Sequence, residues 1–368
     1  MNQSKNIALI VPGGFGTGKN NLGIPVLEQI VILLSQNFKV TVFQLYEVNK
    51  NYKAHGFELF GFRNNSKVGQ YFKFFLCFIR GHRKKNFDVV HGFWVWPCGF
   101  LAVVLGKILK IKSVVSVLGG DGSSVPEINY GYLHRPIYRK LILWTLHHAN
   151  EANALTNYLV DNLKRAGLKR ELEIIPWGID SEMFSFKEKP LNRPVRFLHI
   201  GNFHAVKDQP TLLRVFARIT KSVDCTLTMI GEGNEEQRIR NLIEELGIQK
   251  KVRILYHMPY PKLVEFYHES DILLHTSLSE GQSEVVTEAM SCGLLVCGTK
   301  VGLLYDLPVC CITVGLKDFQ GLADKILPLI NDGVQINSIR QRGKEWVSKH
   351  NINWTVKEIS KKQYKLFE

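Results

Sequence analysis

The chain has 368 residues, 45% of them hydrophobic and 22% charged, with 47 Lys+Arg against 33 Asp+Glu. That length is more than one ordinary domain needs and comfortable for two, each with a substantial core. Its longest apolar run, Gly92 to Gly106, is about fifteen residues and contains Pro97, too short for a membrane-spanning helix.

The seven cysteines are scattered and form no C-x-x-C pair, so they read as reduced core residues of a cytosolic protein rather than a disulfide framework or metal ligands. The chain opens Met-Asn-Gln-Ser-Lys-Asn and runs straight into a strand, which predicts no signal peptide. The net charge of +14 is uneven: residues 1–185 hold 22 Lys+Arg against 12 Asp+Glu, and residues 186–368 hold 25 against 21. An excess of that sign suits a membrane surface, nucleic acid or a phosphorylated substrate.

Ile7-Ala-Leu-Ile-Val11 reads as a buried strand running into Pro12-Gly13-Gly14-Phe15-Gly16-Thr17-Gly18-Lys19-Asn20. The run nearly spells a phosphate-binding P-loop, but Asn20 stands where Ser or Thr is needed. Gly23 and Pro25 also defer the helix to about 25–36, so a flexible glycine loop is the competing reading. Lys39–Phe43 is a second strand. Residues 67–87 carry six Lys/Arg and no acid before Asp88. Phe72, Phe75, Leu76 and Ile79 form a helical stripe that Phe74 and Phe78 widen, which points to a helix packed in the core over 70–79. Arg80, Arg83, Lys84 and Lys85 cannot be buried unpaired and must face solvent or an anion. A strand over 88–91 ends at His91, a helix covers 101–110, and a strand over 113–117 leads to Leu118-Gly119-Gly120-Asp121. A helix over 136–148, a strand over 151–156 and a helix over 157–166 follow.

Glu173-Ile-Ile-Pro-Trp-Gly-Ile-Asp180 and the charged, two-proline segment 187–193 mark a linker. The second half opens with a strand over 196–200 and Gly201-Asn-Phe-His-Ala-Val-Lys207-Asp208. A strand then ends at Gly231-Glu232-Gly233, a helix spans 235–246, and a strand leads to Met258-Pro259. A helix over 261–269 and a strand ending at His275 precede Thr-Ser-Leu-Ser-Glu280-Gly281-Gln282-Ser283-Glu284-Val285-Val-Thr-Glu288-Ala-Met-Ser-Cys-Gly293. Ser283 is the expected N-cap of a helix of roughly ten residues closed by Gly293, with a buried strand after it. A helix that begins at the carboxyl end of a parallel strand aims free N–H groups at an anion, and Gly281 allows close approach. Glu284 and Glu288 share one helix face, and a carboxylate there can accept both hydroxyls of a ribose diol. An ordinary acidic surface helix remains the alternative on these residues alone.

Glu280, seven residues, Glu288, then Ala-Met-x-Cys-Gly and a strand, resembles the signature of the family 4 retaining glycosyltransferases. Further matches recur in order: Gly13-Gly14, the Ile-Pro-Trp-Gly-Ile-Asp stretch, Lys207, Gly231-Glu-Gly233, and Thr299-Lys-Val-Gly302. The resemblance implies a GT-B fold, an α/β architecture of two Rossmann-like domains facing each other across a cleft. They are expected at 1–187 (acceptor side) and 188–368 (nucleotide sugar), with a last helix at about 354–367 crossing back to the first. It implies a transferase that takes sugar from a nucleotide sugar with retention, needs no metal or other cofactor, and delivers it to a glycan or lipid-linked acceptor. Glu280 and Lys207 are the implied catalytic residues. Gly13, Gly14, Lys207, Gly231, Gly233, Met258, Gly281, Gln282, Ser283, Glu284, Val285 and Glu288 would line the donor with Glu280. His91 and Asp121 would lie on the acceptor side. Arg80, Arg83, Lys84 and Lys85 would meet an anionic membrane, placing the protein on its cytoplasmic face with no nucleic-acid partner. Two departures stand out: Leu118 occupies the place of the family's His, and Asn202 that of its Arg. A nucleotide-sugar epimerase on the same fold is the runner-up, and a P-loop-like nucleotide-binding protein ranks below it.

Overall fold

The computed structural model describes residues 5–17, 23–63, 66–256 and 258–365. Two parallel sheets dominate it. The first is built from β1 (Asn6–Val11), β2 (Lys39–Gln44), β3 (Glu58–Gly61), β4 (Val89–Phe93), β5 (Lys112–Val117), β8 (Glu151–Ala154) and β9 (Glu173–Ile174), in the order β3-β2-β1-β4-β5-β8-β9. A small hairpin of β6 (Ser124–Val125) and β7 (Tyr130–Gly131) interrupts that run. Strands buried on both faces read as continuous apolar runs, and Ile7 to Val11 and Val40 to Phe43 do so.

Helices α1 (Pro25–Ser35), α2 (Lys67–Lys85), α3 (Phe100–Leu109), α4 (Pro136–His148) and α5 (Asn157–Arg165) make the crossovers. Helix α1 starts at Pro25, where its fixed φ suits the first turn. Gly18-Lys19-Asn20, the end of the near P-loop, lies outside the described residues. Ser66 caps α2 by accepting from the Gly69 N–H, and Asn86 closes it in the left-handed region at φ 52°.

The second sheet holds β10 (Val195–Ile200), β11 (Cys225–Ile230), β12 (Val252–Leu255), β13 (Ile272–His275), β14 (Leu295–Thr299) and β15 (Ile312–Val314), ordered β12-β11-β10-β13-β14-β15. Its helices are α6 (Gln209–Ile219), α7 (Glu236–Glu245), α8 (Leu263–Glu269), α9 (Glu284–Ser291), α10 (Leu303–Asp306), α11 (Phe319–Leu329) and α12 (Gly333–Lys349). Residues 185–192, between the sheets, form neither helix nor strand. Helix α13 (Ile352–Glu358) returns to the first sheet, where Ile352, Val356, Ile359 and Tyr364 join the core beneath α1. The loops that follow β5 and β8 of the first sheet meet those that follow β13 and β14 of the second, at the strand ends where open α/β sheets bind ligands.

Helix α2 buries Phe74 and Phe78 against Phe43 and Phe87. The expected stripe divides: Phe75 and Ile79 are half-buried, while Phe72 and Leu76 turn outward, 64% and 41% exposed. Arg80, Arg83 and Lys84 also face outward, on α2 and just ahead of its C-cap. Lys85 does not share their exposure; it is half-buried, 2.6 Å from Glu58 and bonded to Thr41. No helix among the described residues is long and apolar enough to cross a membrane.

Candidate functional site

The loop between β13 and α9 gathers the charged residues expected there. Glu280 Oε1 accepts from the Lys207 ammonium at 2.6 Å and the Ser277 hydroxyl at 2.6 Å, and lies 3.2 Å from His275 Nε2. No described partner takes Oε2. Burial works to raise the Glu280 carboxyl, but the Lys207 charge and the facing His275 outweigh it and hold the group well below the ordinary carboxylate range. Lys207 comes from the short turn after β10, directly opposite.

Ser283 stands at the N-cap of α9 but does not cap it. Its φ of 79° turns the hydroxyl away from the first-turn amides and toward His275 Nε2, 3.1 Å away. Glu284 begins the helix; burial and the nearby Glu280 charge push its carboxyl up. Glu288, only 3% exposed, accepts from Tyr260 at 2.9 Å through one oxygen and from Tyr267 through the other. Burial raises the Glu288 carboxyl to about 7 against the pull of both phenols. A carboxylate oxygen has two lone pairs, so each phenol leaves one acceptor position.

The other expected residues divide between lining and scaffold. Gly231 and Gly233 bring the β11 turn against residues 201–203, where a Cβ would stand 2.1 Å from Gly201 O or 2.3 Å from Phe203 O. Met258 is half-buried and packs, as Tyr260 and Leu263 do, against the core that includes Tyr267. Gly13 and Gly14 form a loop whose Gly14 carbonyl accepts from Ile24 N, just ahead of α1. Gln282 is spent elsewhere: its amide bonds the N–H and C=O of Trp177 at 2.7 and 2.6 Å, leaving only its backbone for a ligand.

The two acceptor-side assignments are corrected. His91 is fully buried, with Nδ1 2.9 Å from the Tyr364 hydroxyl and Nε2 2.8 Å from Ser116 Oγ, so it anchors the C-terminal segment and faces no cleft. Asp121 is also buried; its carboxylate accepts from the N–H groups of Val95, Leu118 and Gly119 and shapes that loop instead.

The site loop is sealed against the first sheet's loops. Gly281 lies so close that a Cβ would stand 1.9 Å from Leu118 O, and its own carbonyl accepts from Thr156 Oγ1 at 2.8 Å. Ser279 bonds Ser123 at 2.9 Å. Asp306 of α10 accepts from Asn157 N at 2.8 Å and Tyr158 N at 3.2 Å, so it caps α5 from the opposite side of the cleft.

Sequence reasoning passed over His275, Tyr260 and Tyr267. A signal existed for each: His275 ends a parallel strand directly before the loop, and the two tyrosines are seven apart, two turns along one face.

Two family models match successive parts of the chain: Glycosyltransferase Family 4 over residues 26–183 and Glycosyl transferases group 1 over residues 180–346. The N-acetyl-alpha-D-glucosaminyl L-malate synthase of Bacillus anthracis is 26% identical over 290 residues, covering 72% of this chain and 71% of that protein. The phosphatidylinositol N-acetylglucosaminyltransferase GPI3 subunit of Saccharomyces cerevisiae is 28% identical over 59% of this chain, which spans only 55% of that protein. Among solved structures, the sucrose-phosphate synthase of Thermosynechococcus elongatus superposes with a TM-score of 0.81 at 18% identity, covering 99% of both chains. Anabaena Alr3699/HepE, solved with UDP and glucose, superposes with a TM-score of 0.77 at 18% identity, covering 98% of this chain and 100% of that one.

Proposed function

The chain belongs to glycosyltransferase family 4, and on that premise we propose that it moves a sugar from a nucleoside diphosphate sugar to a glycan or lipid-linked acceptor, with retention at the anomeric carbon and without a metal ion. The observation that carries this reading is the arrangement of Glu280. Its Oε1 is saturated by Lys207, Ser277 and His275, which fixes the carboxylate and keeps it charged. Oε2 is then the acceptor left for a sugar hydroxyl. Lys207 and the uncapped amides of α9 flank it and supply the positive charge that a departing diphosphate needs. The ribose diol goes to Glu288, on the lone pairs that Tyr260 and Tyr267 leave, and the base goes toward Met258.

We place the domain boundary at 187/188, with the acceptor on the first domain. The matched relatives' names speak of N-acetylglucosaminyl transfer, one of them to a phosphatidylinositol, so UDP-N-acetylglucosamine is the first donor to test. A lipid-linked acceptor fits the charge of α2, α3 and α4, which contain no Asp or Glu. Arg80, Arg83 and Lys84 face solvent there, near the outward Phe72 and Leu76. Each cation adds about 1 kcal/mol near an anionic bilayer. Changing these three to Gln should abolish salt-sensitive co-sedimentation with phosphatidylglycerol vesicles; binding indifferent to both salt and these changes would rule out electrostatic docking. The donor assignment itself is tested by diphosphate release from a panel of nucleotide sugars in the presence of a chelator.

A further inference from the structure

Resting on the donor reading above, we infer that His275 is a positioning residue that sets two parts of the donor site at once: it aims Glu280, and it holds the Ser283 hydroxyl off the N-terminus of α9. The ring is 1% exposed, at the carboxyl end of β13. Its Nε2 lies 3.2 Å from Glu280 Oε1, 3.1 Å from Ser283 Oγ and 3.3 Å from Ser277 Oγ. Facing a carboxylate, Nε2 must carry the hydrogen, because a bare nitrogen there would set lone pair against lone pair. Nδ1 is buried without a described hydrogen-bond partner, so Nε2 is the nitrogen through which the ring acts.

The consequence for Ser283 follows from its ordinary habit. A serine at an N-cap accepts from an N–H of the first turn and so occupies the amides that an anion would use. Here Ser283 makes no such bond, and its hydroxyl is turned to His275. The helix N-terminus is thereby left open toward the place where the diphosphate must lie. His275 reaches neither sugar nor phosphate; it works through Glu280 and Ser283.

Glutamine and asparagine separate this role from simple core filling. The side-chain amide of His275→Gln reaches the position of Nε2–H, whereas that of His275→Asn stops at Nδ1. We expect H275N to lower kcat with the sugar donor roughly ten- to a hundredfold, the value of a hydrogen bond to a charged acceptor, and H275Q to retain most of it. H275N should also weaken binding of the bare nucleotide, UDP or GDP, about three- to tenfold, because Ser283 then swings round to cap α9. Adding Ser283→Ala to H275N should restore nucleotide affinity while kcat stays low. Melting temperatures check that each variant folds. Equal kcat for H275N and H275Q, or an affinity loss that Ser283→Ala fails to repair, would overturn the inference while leaving an active wild type in place. A wild type that binds neither nucleotide and releases no diphosphate would overturn the donor reading, and this inference with it.

Discussion

Glu288 should make the protein lose stability as the solution passes from mildly acidic to neutral. Its carboxyl ordinarily titrates near 4.5, and burial raises it to about 7 in the folded chain. Below 4.5 the carboxyl is protonated whether folded or unfolded, and its contribution is fully present. Between 4.5 and 7 the unfolded chain has released its proton and the native chain has not, so unfolding gains about 1.4 kcal/mol per pH unit. Above 7 the native carboxyl ionises as well and the loss levels off. The 2.5-unit separation corresponds to about 3 kcal/mol in total. Urea unfolding of wild type and Glu288→Gln across pH 4.5 to 8 measures it. The wild-type curve should fall relative to the variant by about 3 kcal/mol over that window and then run parallel to it. Curves parallel throughout would refute the premise that burial holds this carboxyl protonated against the pull of the two phenols.

Lys207→Ala should lower kcat more than donor affinity, because its charge matters most as the diphosphate departs; a loss confined to donor affinity would make it a binding residue only. Gly281→Ala puts a Cβ 1.9 Å from Leu118 O. The loop must then retreat, and a displacement of ~1 Å costs on the order of a hundredfold in rate; undiminished kcat would show that the loop need not close on Leu118. Asp306→Ala removes the cap that α5 receives across the cleft, for about 1 kcal/mol of closure. Small-angle scattering should show a larger radius of gyration, and an unchanged one would place the closing contacts elsewhere.

The sheets were legible where chemistry was local. Apolar runs such as Ile7–Val11 and Ile272–Leu274 announce buried parallel strands, and Pro25, Pro136 and Gly293 punctuate helices through their backbone preferences alone. Strand β3, with its mostly exposed Glu-Leu-Phe-Gly, shows no alternation that would reveal it, and the buried face of α12 is thinned by Arg340 and Gly343 between Ile336, Ile339 and Val347. In the candidate site, Glu280, Lys207 and Glu288 stood out from spacing and order, and the structure brings Lys207 and Glu280 together. What spacing cannot supply is the partner from a distant segment. His91 looked available at a strand end, yet Tyr364, 273 residues away, covers it. Asp121 looked like a loop acid, but backbone N–H groups surround its carboxylate. Lys85 belonged to a run of cations, and Glu58 of the neighbouring strand singles it out. Ser283 was expected to cap α9; its positive φ and His275 decide otherwise.

The central claim is that Glu280 faces the sugar of a nucleotide donor, and one comparison tests it most directly: nucleoside diphosphate release by wild type and by Glu280→Ala, across a donor panel and in the presence of a chelator. The account predicts saturable, chelator-insensitive release for at least one donor. It further predicts that Glu280→Ala abolishes this release while still binding the bare nucleoside diphosphate nearly as tightly as wild type. Release from no donor, or release and nucleotide affinity falling together in Glu280→Ala, would contradict it.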